Sequence, residues 1–161
     1  MKLNTALTIA LLATSTLLAG CFTDSAPAVQ YTSLGGQQAS TDSLKGKVVL
    51  VNFWATSCSG CMAEMPKLVA TQQKYGSQGY QTVAVAMSYD PPNYVQSYVS
   101  DKKLPFFVTL DSQGSIAKAF CDIQLTPTSI LIDKQGNIIK RFVGEPNFDE
   151  LHQLIEQNLK A

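Results

Sequence analysis

Charge is scarce in this sequence. Asp, Glu, Lys and Arg make up 15% of the 161 residues, twelve acidic against twelve basic, so the formal net charge is zero. No run of Lys or Arg forms a stripe that could follow a phosphate backbone, and nucleic acid is not an expected partner. Histidine is scarcer still, with His152 the only one. Of the four cysteines only one pair has Cys-x-x-Cys spacing, so the second ligand pair of a structural zinc site is missing and no metal is expected. A membrane-spanning run is also lacking. The mostly apolar, uncharged stretch from Ala6 to Ala19 is shorter than the roughly 20 residues a spanning helix needs. What is present is a 45% hydrophobic composition, enough at this length for the core of one ordinary domain without disulfide staples.

Lys2 followed by the Ala6–Ala19 stretch has the layout of a secretory signal. Its end, Leu18-Ala19-Gly20-Cys21, resembles the lipobox of bacterial lipoproteins, in which the cysteine is acylated and becomes the first residue. The resemblance implies a signal peptide over 1–20 and lipidation at Cys21, with two or three acyl chains as a firm anchor. An uncleaved anchor helix or an ordinary signal remains the alternative, and either would still export the domain. Residues 21–30, which include Thr, Asp, Ser, Ala and Pro without apolar period, read as a tether, which leaves 31–161 as the folded domain.

From Lys47 onward apolar runs alternate with helix-period segments, the pattern of an α/β fold with a central sheet covered on both faces. Val48 to Trp54 is nearly all apolar, as suits a strand buried on both sides. Cys61, Met65, Leu68 and Val69 then fall on one helical stripe, and Pro66 is expected to kink that helix. Further strands are predicted over 82–87 and 106–110, with a helix opened by Asp90-Pro91-Pro92 between them. A short helix over 115–120, a hairpin formed by 128–133 and 137–143, and a last helix over 148–159 complete the pattern.

Cys58-Ser59-Gly60-Cys61 sits where a buried strand ends and a helix begins. The free N–H groups and positive dipole end of a first helical turn favour a thiolate, so Cys58 reads as the attacking sulfur. Cys61, one turn inside the helix, reads as the thiol that resolves the mixed disulfide. Two other readings stay open. A purely structural bridge would close too small a loop to constrain the unfolded chain much. A Cu(I)-binding, metallochaperone-like module could use the same two thiolates with Met62 or Met65, since all four are soft ligands.

Asn52-Phe53-Trp54-Ala55-Thr56-Ser57-Cys58-Ser59-Gly60-Cys61, with Pro66 and a downstream Thr126-Pro127-Thr128, resembles the TlpA/ResA-like branch of the thioredoxin superfamily from about Leu44 to the C-terminus. The resemblance implies a thioredoxin fold, a central mixed β-sheet flanked by α-helices, and exchange of protein disulfides outside the cytoplasm, commonly from a membrane tether. It implies a cis Pro127 facing the cysteines and places Trp54, Thr126 and Pro127 at the substrate-binding surface. By the same resemblance Thr126 is expected to offer its backbone to an extended client chain. Glu64, one helical turn beyond Cys61, matches a family glutamate that influences thiol protonation, although a solvated first-turn acid is an equal reading. Asn52 stands where ordinary thioredoxins carry a buried Asp.

Two departures stand out: Ser57 replaces the Trp that relatives usually have before the first cysteine, and Ser59-Gly60 lacks the His of strong oxidants. Cys121 reads as a small hydrophobe, with a third redox thiol as the sharper alternative. A peroxidase is disfavoured because Ala55, not Thr, stands three residues before Cys58. The expectation is a lipoprotein of the cell envelope facing the periplasm that reduces disulfides of exported proteins, with cytochrome c maturation a candidate pathway. A membrane or periplasmic dithiol would supply its electrons, and no dissociable cofactor is required.

Overall fold

The computed structural model describes residues 25–161. The expected signal peptide over 1–20, the lipobox and Cys21 lie outside the described residues. Among the described residues no helix is long and apolar enough to cross a membrane.

Two short strands, β1 (Gln30–Thr32) and β2 (Gln38–Ser40), pair antiparallel. The main sheet follows: β3 (Val48–Trp54), β4 (Tyr80–Ala86), β5 (Phe107–Leu110), β6 (Thr128–Ile132) and β7 (Ile138–Val143). Their order is β5-β4-β3-β6-β7, with β3, β4 and β5 parallel and the β6–β7 hairpin antiparallel to β3. The helices are α1 (Ser59–Tyr75), α2 (Pro92–Lys102), α3 (Ser115–Ala119) and α4 (Phe148–Lys160). This is the helix-covered central sheet that the alternation of runs predicts, and the mixed sheet that the resemblance implies.

Every residue of the central strand β3 is buried. Strand side chains alternate between faces, so Val48, Leu50 and Trp54 join α1, α2 and α4 through Met65, Leu68, Val95, Leu151 and Ile155. Val49, Val51 and Phe53 face the other way, against Ile116, Ala117 and Phe120 of the α3 segment and Tyr31 of β1. Parallel neighbours need crossovers, and crossovers of one hand put α1 and α2 on the same face. Helix α1 continues through Pro66.

The segment before β1 differs from the tether expected over 21–30. Ser25 bridges to Asn137, and Ala26 N–H donates to Gly136 O at 2.8 Å. Thr41 Oγ1 donates to Pro27 O at 2.8 Å, and Ala26 and Val29 pack on the core. Residues 25–30 therefore belong to the domain. Their few apolar side chains carry no period in sequence, because they dock singly rather than as an element.

Candidate active site

Strand β3 delivers the chain to the start of α1, where Cys58 is the N-cap residue with extended backbone (φ −91°, ψ 106°). Its Sγ accepts from the Cys61 N–H at 3.1 Å, and its carbonyl accepts from Met62 N–H at 3.1 Å. A sulfur in that position replaces the hydroxyl or carboxylate that ordinarily caps a helix, and the unpaired donors there favour negative charge on it. Cys58 and Cys61 are joined in a disulfide, with Cα atoms 5.2 Å apart. Cys58 is half-buried while Cys61 is 1% exposed. Only the first sulfur can be reached by a large partner.

The loop before Cys58 is pinned by an aspartate at the opening of α2. Asp90, 3% exposed, accepts from Thr56 N–H at 2.6 Å and from Thr56 Oγ1 at 2.5 Å. In sequence, Asp90 was legible only as part of the opening of α2. The partner is 34 residues away and becomes visible only when β3 and β4 end side by side.

Thr126–Pro127 is a cis peptide bond, in agreement with the resemblance. A Cβ on Gly60 would stand 3.5 Å from Pro127 Cδ, so the proline ring packs directly on the turn between the cysteines. Gly144 N–H donates to Pro127 O at 2.8 Å, and Tyr89 OH and Thr126 Oγ1 lie 3.2 Å apart. Thr126 is partly exposed at the mouth of the site.

Trp54 requires a correction. Its side chain is fully buried and stacks at a tilt on Tyr98, with ring centroids 5.5 Å apart. It is a core residue, because β3 points it inward under α1 and α2, and it presents nothing to a client chain.

Behind the disulfide lies a buried polar cluster. Asn52 opposes Ser129 in the β3–β6 register, and its Nδ2 donates to Ser129 Oγ at 2.9 Å and to Glu64 Oε1 at 3.3 Å. Glu64 is fully buried, not a solvated first-turn acid. Burial pushes its carboxyl up from the ordinary 4.5 to about 8, the nearby Glu145 charge adds to the rise, and Lys67 and Ser129 oppose it. Glu64 Oε2 and Asn52 Oδ1 have no hydrogen-bond partner. A proton on the carboxyl removes the cost of leaving an ionised oxygen buried without a donor. Ser129 was not singled out from sequence, where it reads as one polar residue in an apolar strand.

The soft-metal set is split. Met65 is buried beneath α1, and Met62 lines a groove between α1 and α2 with Pro66 and Tyr98. Among the described residues, no group of three or more His, Cys, Asp or Glu side chains could hold a metal ion. Cys121 lies half-buried in the turn after α3 with φ 65°, less enclosed than a small core hydrophobe.

Comparison with known proteins agrees with this geometry. The Redoxin family model matches residues 23–155. The thiol-disulfide oxidoreductase ResA of Bacillus thuringiensis subsp. konkukian is 34% identical over 132 residues, covering 82% of this chain and 75% of the relative. A solution structure from Neisseria meningitidis assigned as a thioredoxin is 43% identical, with TM-score 0.79 over 84% of this chain and 90% of that one. A thiol:disulfide interchange protein of Chlorobium tepidum is 28% identical, with TM-score 0.76 over 84% and 95% of the two chains. With a dithiol pair capping α1 and this match over most of its length, the chain belongs to the redoxin family and, within it, to the TlpA/ResA-like protein-disulfide oxidoreductases of the thioredoxin superfamily.

Proposed function

We propose that the protein reduces disulfides of exported proteins on the outer side of a membrane, to which acylated Cys21 tethers it. The observation that carries the chemistry is the Cys58–Cys61 disulfide at the N-terminus of α1, packed against cis-Pro127. In the reduced state the Cys58 thiolate attacks one sulfur of a client disulfide, and the other client sulfur leaves with the bonding electron pair and takes up a proton. Cys61 then loses its proton and attacks Cys58 Sγ. That step releases the second client thiol and closes the bridge seen here.

Glu64 serves as the proton holder for this second step. Burial raises its carboxyl to about 8, so in its ionised form Glu64, one helical turn beyond Cys61, is a stronger base than an ordinary carboxylate and can take up the Cys61 proton. The client chain lies in extended form along Thr126, beside cis-Pro127, with backbone pairing supplying affinity. A periplasmic or membrane dithiol restores the reduced pair. Cytochrome c maturation is the client pathway proposed, by likeness to ResA-like proteins. The reductive direction is supported by the Ser59-Gly60 insert, which lacks the His that stabilises the thiolate of strong oxidants.

The test joins trapping to electrochemistry. Cys61→Ser in cells should accumulate mixed disulfides to exported proteins through Cys58, in the membrane fraction, and Cys21→Ser should release them from that fraction. The Cys58–Cys61 couple should equilibrate well below the roughly −120 mV of a strong oxidant. A potential near that value, or trapping of cytoplasmic partners alone, contradicts the proposal.

A further inference from the structure

Four large apolar side chains stand out as exposed among the described residues: Tyr89, Tyr94, Leu125 and Val143. Two of them, Tyr89 at 56% and Tyr94 at 59%, line a single open groove of about 690 Å3 whose walls include Thr56, Ser57, Tyr98 and Asp101. Exposed aromatic rings gathered in one concavity are the usual mark of a surface that awaits a partner.

The groove is built by α2 and by the loop that carries the reactive sulfur. Tyr94, Tyr98 and Asp101 are spaced by four and three residues, so they form one stripe of that helix. Opposite them stand Thr56 and Ser57, the two residues before Cys58. Ser57 is where relatives usually carry Trp, and its small side chain leaves the groove open at the cysteine end. The Thr56–Asp90 hydrogen bonds fix this wall against the start of α2. Tyr89, whose hydroxyl meets Thr126 Oγ1 at 3.2 Å, joins the groove to the cis-proline loop. A chain lying along Thr126 therefore runs into it.

The charge of the lining is one-sided. Asp90 and Asp101 are among its residues and no Lys or Arg is. Asp90 is already engaged by Thr56, whereas Asp101 is exposed and makes no ion pair among the described residues. Tyrosine faces carry negative quadrupole, so the rings and the free carboxylate favour the same kind of guest, a cation with apolar or planar surface. A guanidinium stacks on aromatic faces and forks to a carboxylate, which an ammonium does less well.

We propose that this groove is a specificity subsite for a basic side chain, arginine above lysine, borne by the client polypeptide close to the cysteine that Cys58 attacks. The proposal rests on Cys58 as the attacking sulfur and deepens that reading by naming the kind of client it selects. Because the guest binds before and during the exchange alike, its contribution falls on capture at low client concentration, not on the limiting rate.

The experiment uses the full chain carrying Cys61→Ser, reduced, with short peptides whose single cysteine is a mixed disulfide with 2-nitro-5-thiobenzoate. The Cys58 thiolate bonds to the peptide sulfur, the bond to the aryl sulfur breaks, and the coloured aryl thiolate leaves with the electron pair. Peptides differ only in Arg, Lys, citrulline or Glu, placed in turn at each position flanking the cysteine. At one position Arg should raise capture over citrulline by roughly tenfold, equivalent to about 1.4 kcal/mol, through the apparent KM, with Lys between them and Glu below citrulline.

The ratio of Arg to citrulline should shrink in high salt and fall severalfold in Tyr94→Ala and in Asp101→Asn. Both residues are exposed, so the fold does not depend on them. Equal capture of Arg, citrulline and Glu peptides at every position overturns the proposal, as does a preference undiminished in the double variant. Capture of no peptide at all overturns the role of Cys58, and the subsite with it.

Discussion

Glu64 shows what one buried carboxyl does to the behaviour of the site. Its folded value of about 8 lies above the ordinary 4.5, so between those values the folded protein binds a proton that the unfolded chain has released. Stability linked to that proton is complete below about 4.5 and is lost as pH rises through about 8, the reverse of a salt-bridged acid. The shift corresponds to a loss on the order of 5 kcal/mol across that window. Glu64→Gln keeps the shape, removes the titration and supplies an N–H donor to a cluster with two orphaned oxygens. Urea unfolding of the oxidised protein should therefore show the variant gaining on wild type as pH is raised from about 5 to about 9. Parallel stability profiles would mean that the carboxyl is not the buried, proton-holding group described. A one-turn offset from Cys61 was enough to single out Glu64 in the sequence. Its environment was not legible there, because Asn52 and Ser129 reach it only through the β3–β6 register.

Elements were more legible than residues. The run from Val48 to Trp54, the stripe of Cys61, Met65 and Leu68, and the Lys134-Gln135-Gly136 turn each specify their element locally. The structure places them at β3, α1 and the β6–β7 hairpin. Strand β1 and strand β2 were not foreseen, since three-residue strands are too short to show an alternation. Helix α4 carries its start signal locally. Asn147 Oδ1 accepts from Asp149 N–H at 3.0 Å and from Glu150 N–H at 3.1 Å, with two acids in the first turn. Asn147→Ala should lower stability by about 1 kcal/mol, read as a shift in denaturation midpoint with unchanged slope. Those donors face solvent, so a much larger loss would show that the residue does more than cap its helix.

At the scale of the whole molecule, the sheet edges are guarded by the segment before β3, of which only residues up to 30 read as a tether. Ser33 bridges to Thr109 and Leu34 N–H donates to Val108 O at 3.2 Å on the β5 edge, while Ser25 bridges to Asn137 beside β7. Unpaired edge strands invite association with other chains, and this cover removes part of that hazard. A chain beginning at Ser25 keeps all of these contacts. One beginning at Tyr31 should lose about 2 kcal/mol, because Ala26 and Val29 leave the core and the bonds at Gly136 and Thr41 are broken. Equal denaturation midpoints for the two truncated chains would show that residues 25–30 are a tether after all.

The order of apolar runs and the helix-start position of Cys58 are local properties; they determined the α/β class and marked Cys58 and Cys61 as the reactive pair, while the family resemblance selected disulfide exchange among the uses of two thiolates. Tertiary structure decided what depends on residues distant in the chain meeting at the C-terminal ends of β3 and β4. It buried Trp54 instead of offering it to a client, closed the Asn52–Ser129–Glu64 cluster behind the disulfide, and clamped Thr56 to Asp90. The physical reason is common to all three. Burial and hydrogen-bond partnership are set by register and layer packing, and spacing along a single segment carries no record of either.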